Sequence, residues 1–233
     1  MAVRTEIEAT QRIPIRKSWW RRPWIGPLAV IVVAFLAYSL PPYLALDPTK
    51  SRVPQPEGFP AHFWFLVAHI AFGTVAILGV LIQIWPWFRR KYPVAHRRIG
   101  RIYVFGGAVP SALIAGTIGT VTPFGPVTGM LDVVAALLWL GCTIAGWRAV
   151  RQRRFADHRK WMIRSFAMTM NTLVTRLYTP FLIIAFGPRL HTTFVGNEKW
   201  FSQTISAMSA GLSLVTLLVL SQLWLDRRPA IAR

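Results

Sequence analysis

The stretch AHFWFLVAHIAFGTVAILGVLIQIWPW, residues 61–87, decides the fold. It carries no Asp, Glu, Lys or Arg, and its only titratable side chains are His62 and His69. About 20 consecutive apolar residues suffice to cross the hydrocarbon core of a bilayer as a helix. A helix apolar on every side has no face to offer water, so this one belongs in lipid or in a fully buried core. Working outward in both directions, the same texture recurs at residues 24–46, 99–121, 130–150, 161–186 and 202–225. The expected fold is therefore all-α, a bundle of six transmembrane helices. A basic arm over 1–23 precedes the transmembrane domain at 24–225, and a short tail over 226–233 follows it. Pro41-Pro42, Pro110 and Pro180 fall in or at the ends of these spans and predict irregular ends or kinks.

Composition agrees. Of 233 residues, 54% are hydrophobic and 15% charged, with Lys and Arg numbering 27 against 8 Asp and Glu, for a formal net charge of +19. Soluble domains carry roughly 25% charged residues. The balance excludes a disordered chain and a soluble nucleic-acid binder, and it leaves no room for a second globular domain. The single cysteine, Cys142, excludes an intramolecular disulfide and a thiolate metal cluster. The first apolar run follows a long basic, Trp-rich stretch without a small-residue cleavage site, so it reads as an uncleaved anchor.

The cations are segregated. They crowd residues 1–23, 89–101 and 148–164 and the C-terminal tail, whereas the alternate loops hold only Lys50, Arg52, Arg189 and Lys199. Positive loops stay inside. Both termini are thus expected in the cytoplasm, most simply at a bacterial inner membrane whose anionic headgroups meet the basic face.

Candidate chemistry rests on histidine and arginine. His96 and His158 each open an expected helix amid cations, Arg97, Arg98 and Arg101 in one case and Arg159, Lys160 and Arg164 in the other. Positive charge on the positive end of a helix dipole favours an answering anion. A lipid phosphate, a haem propionate or a charged substrate would serve, while the bland account is that these cations only set topology. The matching His-Arg-Arg and His-Arg-Lys entries suggest a parallel repeat of two-helix units. In the fifth span Ser165, Thr169, Thr172, Arg176 and Thr179 are spaced 4, 3, 4 and 3, on one helical face. Intramembrane charge is costly, so this face is expected to look into the bundle, with Arg176 paired to Asp132 or to an anionic ligand. Helical rise puts Arg176 roughly 15 Å and His69 roughly 12 Å below the outer ends of their spans, where the two could meet. His69 continues through Gly73, Ala76, Val80 and Gln83, and His96 through Gly100, Tyr103, Gly107 and Ser111. Such faces admit a flat macrocycle or a closely packed helix. His62 and His191 are expected to be solvated.

His69-Ile70, His96-Arg97-Arg98-Ile99-Gly100-Arg101-Ile102-Tyr103 and His158-Arg159-Lys160-Trp161-Met162-Ile163-Arg164-Ser165-Phe166-Ala167 resemble a family of bacterial predicted membrane proteins known as domain of unknown function 2306. The resemblance covers about residues 60–185 and implies a multi-pass architecture without an activity. The layout is more loosely similar to bis-histidine cytochrome b membrane cores. That likeness implies b-type haem or quinone-linked electron transfer. His96 and His158, with His69 at a second site, would be the iron ligands, and Arg101, Arg164 and Arg176 would stand among the cofactor-binding residues. A redox partner would follow. The alternatives are binding or transport of an anionic amphiphile, such as a phospholipid or prenyl phosphate, and a structural accessory subunit. A hydrolase is disfavoured, because no nucleophile, base and orienting acid occur together in the spans.

Overall fold

A computed structural model describes residues 24–227, so the basic arm and most of the tail lie outside the described residues. Among the described residues every regular element is helical and no strand occurs. Helix α1, Ile25–Ser39, stops before Pro41-Pro42, which open the short α2, Pro41–Leu44. Helix α3 spans His62–Gln83, followed by α4 at Pro86–Lys91 and α5 at Pro93–Tyr103. A π-helical segment, Val104–Ala108, joins α5 to α6, Val109–Thr120. Then come α7 at Pro126–Arg151, α8 at Phe155–Thr169, α9 at Asn171–Phe186 and α10 at Glu198–Asp226.

Four continuous helices are long and apolar enough to cross a membrane: His62–Gln83, Pro93–Thr120, Pro126–Arg151 and Glu198–Asp226. The other two expected spans are built differently. Helix α1 has 15 residues, about 22 Å at 1.5 Å per residue, which is shorter than the hydrocarbon core of about 30 Å. The fifth is broken at Met170, where α8 ends and α9 begins. Thr169 Oγ1 donates to the Ser165 carbonyl at 2.9 Å, and the Met170 amide turns to Phe166 and Ala167. A hydroxyl competing for a helical carbonyl in this way bends helices.

The prolines act through their missing N–H. Pro110 cannot donate to residue 106, and the ladder just before it widens, so the Val109 amide bonds the Val104 carbonyl. The expected kink is thus taken up as a π turn. Pro180 stands inside α9 and denies the Arg176 carbonyl its helical donor.

Helix α3 packs on α5, the π segment and α6; α6 packs on α7, α7 on α8, and α9 on α10, which also touches α7 and α8. Small residues set the α3 seam. A Cβ on Gly107 would stand 2.9 Å from the Ala76 amide nitrogen, one on Gly79 3.4 Å from Tyr103 Cβ, and one on Gly73 3.4 Å from Ser111 Oγ. The two small-residue faces read from the sequence therefore close on each other instead of offering themselves to a macrocycle. Large apolar side chains face outward, Phe181 at 70% and Ile184 at 75% exposure. Such a surface is stable only against lipid or protein.

Candidate functional site: paired histidines at the basic end

The loops that end α3 and α7, and the starts of α5 and α8, place the Arg- and Lys-rich segments at one end of the bundle. His96 lies in the first turn of α5 and His158 in the first turn of α8. The two imidazoles are close enough to interact electrostatically.

Their partners differ. His158 Nδ1 lies 2.8 Å from the Gly146 carbonyl on α7. A carbonyl only accepts, so Nδ1 carries the proton, and in the neutral ring Nε2 keeps a free lone pair. The carbonyl of His96 accepts from Gln83 Nε2 at 2.8 Å, while His96 Nδ1 is buried with no hydrogen-bond partner. An orphaned buried nitrogen of this kind calls for an explanation.

Seven residues deeper on each helix stand Tyr103 and Ser165, and these touch: Tyr103 Oη to Ser165 Oγ is 2.6 Å. Tyr103, the last residue of α5, thereby ties the end of that helix to α8, and both helices enter the bundle from the basic end.

The contact belongs to a closed ring. Thr143 Oγ1 donates to the Trp139 carbonyl at 2.7 Å, so at its 2.8 Å contact with Ser165 Oγ it must accept. Ser165, its proton spent on Thr143, accepts from the Tyr103 hydroxyl. Tyr103 in turn receives the Trp139 indole N–H at 3.5 Å. Tyr103 Oη also lies 2.9 Å from Thr169 Oγ1, whose own proton goes to the Ser165 carbonyl, so the phenol shares its single proton between Ser165 and Thr169. Tyr103, Thr143 and Ser165 are fully buried. A satisfied buried network rigidifies, so this ring clamps α5, α7 and α8 beneath the two histidines.

His69 is held similarly but elsewhere. Its Nδ1 lies 3.0 Å from the Ser111 carbonyl and 3.1 Å from Ser111 Oγ, and Ser111 Oγ donates to the His69 carbonyl at 3.2 Å. The imidazole ties α3 to α6, and Nε2 again keeps its lone pair. His69 and Arg176 are not brought together as expected, because α9 packs along α10 and not along α3.

The polar face of the fifth span is split by the break at Met170. Ser165 and Thr169 point into the ring, and Thr179 bonds Ser209 of α10 at 3.1 Å. Thr172 and Arg176 are exposed on the flank of α9. The expectation that Arg176 looks into the bundle is corrected accordingly: the 4–3–4–3 spacing aligns residues only along an unbroken helix. Arg176 forms no salt bridge with Asp132; the ion pairs among the described residues are Lys50–Asp47 and Arg154–Asp157.

Arg164 reaches Gln222 of α10 at 3.1 Å and lies over the Trp161 ring at 4.9 Å, which joins α8 to α10. Arg97, Arg98, Arg101, Arg159 and Lys160 are exposed around the histidine pair. His191 is exposed, whereas His62 is only 3% exposed, against Phe59. The expectation of a solvated His62 is corrected: the loop before α3 folds back over it.

Sequence reasoning missed Trp139, Thr143 and Gly146. Their spacing of 4 and 3 along α7 was the available signal, hidden because a Trp, a Thr and a Gly in an apolar run look like ordinary packing.

No curated protein and no solved structure matches the chain. The family model described as "Predicted membrane protein (DUF2306)" matches residues 66–225. That range begins inside α3, runs beyond the motif-bearing stretch through α10, and contains His69, His96, Asp132, His158 and Arg176. Covering most of the chain, it shows that this protein belongs to the DUF2306 family of predicted membrane proteins.

Proposed function

We propose that the protein is a membrane-integral redox carrier that holds a b-type haem between His96 and His158 at its basic end. The observation that supports this most directly is the state of the two imidazoles: His158 is locked through Nδ1 with its Nε2 lone pair free, beside His96 with a buried, unbonded Nδ1. Iron-ligating histidines are oriented by such Nδ1–H bonds to backbone carbonyls. His158 is thus held in the form that iron takes and the unbonded His96 would be the second donor; haem bound by them would supply one-electron transfer.

The rest of the chain prepares that geometry. The Tyr103–Ser165–Thr143–Trp139 ring sets the spacing of α5 and α8. Gly146 lets α8 approach α7, since a Cβ there would stand 2.7 Å from Met162 Sδ. Arg97, Arg98, Arg101, Arg159 and Lys160 are placed to answer carboxylates, while Arg164 serves α10. The same collar offers a soluble redox partner a basic docking face and meets anionic headgroups. In this reading the chain passes six times through a bacterial inner membrane, α1 and the broken α8–α9 included, with both termini in the cytoplasm.

The test is a reduced-minus-oxidised visible spectrum of protein purified in mild detergent with haem supplied during expression. A Soret band lost in His96→Ala and in His158→Ala, and retained in His191→Ala, is the expected result. Well-folded protein that takes up no haem would refute the proposal. It would favour the second reading, an anionic-amphiphile binder. That reading draws on an open groove of about 520 Å³ at the basic end, where Arg148 and Arg154 stand above Gly141, Ile144 and Ala145.

A further inference from the structure

An open groove of about 520 Å³ lies where α7 turns into α8 at the basic end. Its floor is Gly141, Ile144 and Ala145, and its rim is Arg148, Arg154 and Trp161. Leu137, Gly141, Ile144 and Arg148 are spaced 4, 3 and 4, so they share one face of α7. That face is open: Leu137 is 62% and Ile144 43% exposed, and a Cβ on Gly141 would meet nothing within 4 Å. From Arg148 to Leu137 the face runs about 16 Å by helical rise. This is the depth of one leaflet, half of a hydrocarbon core about 30 Å thick.

The rim carries a surplus of positive charge. Arg154 is held by Gln152, whose Oε1 accepts from its Nε at 3.0 Å and its Nη2 at 2.7 Å. Asp157 Oδ2 accepts from Arg154 Nη1 at 2.8 Å. A guanidinium has five N–H donors, so Arg154 keeps some for a guest. The carboxylate of Asp157 is matched by Arg154. Arg148, exposed and outside both ion pairs of the described residues, is the charge in excess. Trp161 carries Arg164 over its ring at 4.9 Å, in the manner of the aromatic belts that meet headgroups.

The guest that fits has an anion at the rim and an apolar tail one leaflet long. A soluble anion would leave the floor uncovered. A zwitterionic head brings an ammonium group, and the carboxylate at the rim is already matched. We propose that the groove seats an anionic glycerophospholipid from the leaflet at the basic end. Its phosphate diester lies on Arg148 and Arg154, and one acyl chain runs along Ile144, Gly141 and Leu137. Basic pockets between transmembrane helices take such heads. The inference rests on the reading of this groove as an amphiphile site, makes the occupant a resident lipid instead of a cargo, and needs no haem. Arg148 belongs to α7 and Arg154 caps the start of α8. The lipid therefore braces the turn that brings His158 to the Gly146 carbonyl.

The experiment titrates the full chain in mild detergent with dioleoylphosphatidylglycerol. Native mass spectrometry reads the retained lipid, and tryptophan fluorescence reads the unfolding midpoint. One lipid should be retained per chain, with a raised midpoint. Arg148→Gln should weaken retention about fivefold, the weight of one cation at a lipid surface, and remove most of the rise. Gly141→Leu, which fills the floor and leaves every cation in place, should weaken retention about threefold. Arg151→Gln, an exposed cation of the same turn outside the groove, should change it less than about twofold. If Arg148→Gln unfolds, Arg148→Lys replaces it, with a smaller loss expected. Equal losses in the Arg148 and Arg151 variants, or none in Gly141→Leu, would mean attraction to the basic surface alone and overturn the proposal. So would phosphatidylcholine retained as tightly, or displacement by inorganic phosphate at equal concentration. Displacement by farnesyl phosphate at equal or lower concentration would overturn the resident lipid and leave the amphiphile-binding reading standing; retention of neither would end both.

Discussion

Replacing Gly107 by alanine tests the packing that places His69 and His96. The added methyl would stand 2.9 Å from the Ala76 nitrogen, 3.0 Å from its Cα and 3.1 Å from its Cβ. Carbon atoms prefer about 3.5–4.0 Å, so α3 and the π segment must part by roughly 0.5–1 Å. The obstacle is backbone and cannot rotate away. Overpacking of this kind costs about 1–3 kcal/mol, while alanine in place of helical glycine returns up to about 1 kcal/mol. The expected net loss is about 0–2.5 kcal/mol, against a gain for the unobstructed control below. Two glycines on α7 serve as controls. Gly141→Ala meets nothing within 4 Å and should gain about 0.5–1 kcal/mol from helix propensity alone. Gly146→Ala meets chiefly Met162 Sδ at 2.7 Å, the movable part of a flexible side chain, and should lie between the two. Equilibrium unfolding in mixed micelles, followed by tryptophan fluorescence, gives all three values. If Gly107→Ala proves as stable as Gly141→Ala, the close approach of α3 to the π segment is wrong, and with it the registration of His69 on Ser111.

Tyr103→Phe removes one hydroxyl from the buried ring and leaves Trp139 Nε1 without an acceptor. Hydrogen bonds inside membrane bundles average about 0.6 kcal/mol and reach about 1.7, so a loss near 1 kcal/mol is expected in the same unfolding assay, together with weaker haem uptake if the ring positions α5 and α8. Asp47 caps the turn at Pro48–Lys50, and its carboxyl is held below the usual range first by the Thr49 hydroxyl and then by the Thr49 amide. Its contribution is therefore present above the ordinary carboxylate pKa and lost as the pH falls through the depressed one. Limited proteolysis of the 45–61 loop should rise at that acidic end, and Asp47→Ala should show the raised rate at neutral pH already. For topology, a fluorescent protein fused after Arg233 should mature in the cytoplasm, and alkaline phosphatase fused there should be inactive; active phosphatase would invert the orientation.

Unlike the short α1 and the break at Met170, the all-helical fold and four of the six expected spans were legible in the sequence, because bilayer thickness acts on the chain one segment at a time. So was the composition of several faces: His69 with Gly73, Ala76 and Gln83, and His96 with Gly100, Tyr103 and Ser111, were aligned by helical spacing alone. Spacing orders residues around their own axis but does not name the neighbouring helix. That these two faces meet, that Tyr103 closes a ring through Ser165, Thr143 and Trp139, and that His158 is locked by the Gly146 carbonyl depend on contacts between residues far apart in the chain. Arg176 shows the limit most clearly. Its alignment with Ser165 and Thr169 assumed one continuous helix, and a break at Met170, where side-chain and backbone hydrogen bonds compete, turned it outward. Local rules set where the chain is helical and which end is basic, whereas mutual packing chose the hydrogen-bond partners of His69 and His158 and turned Arg176 outward.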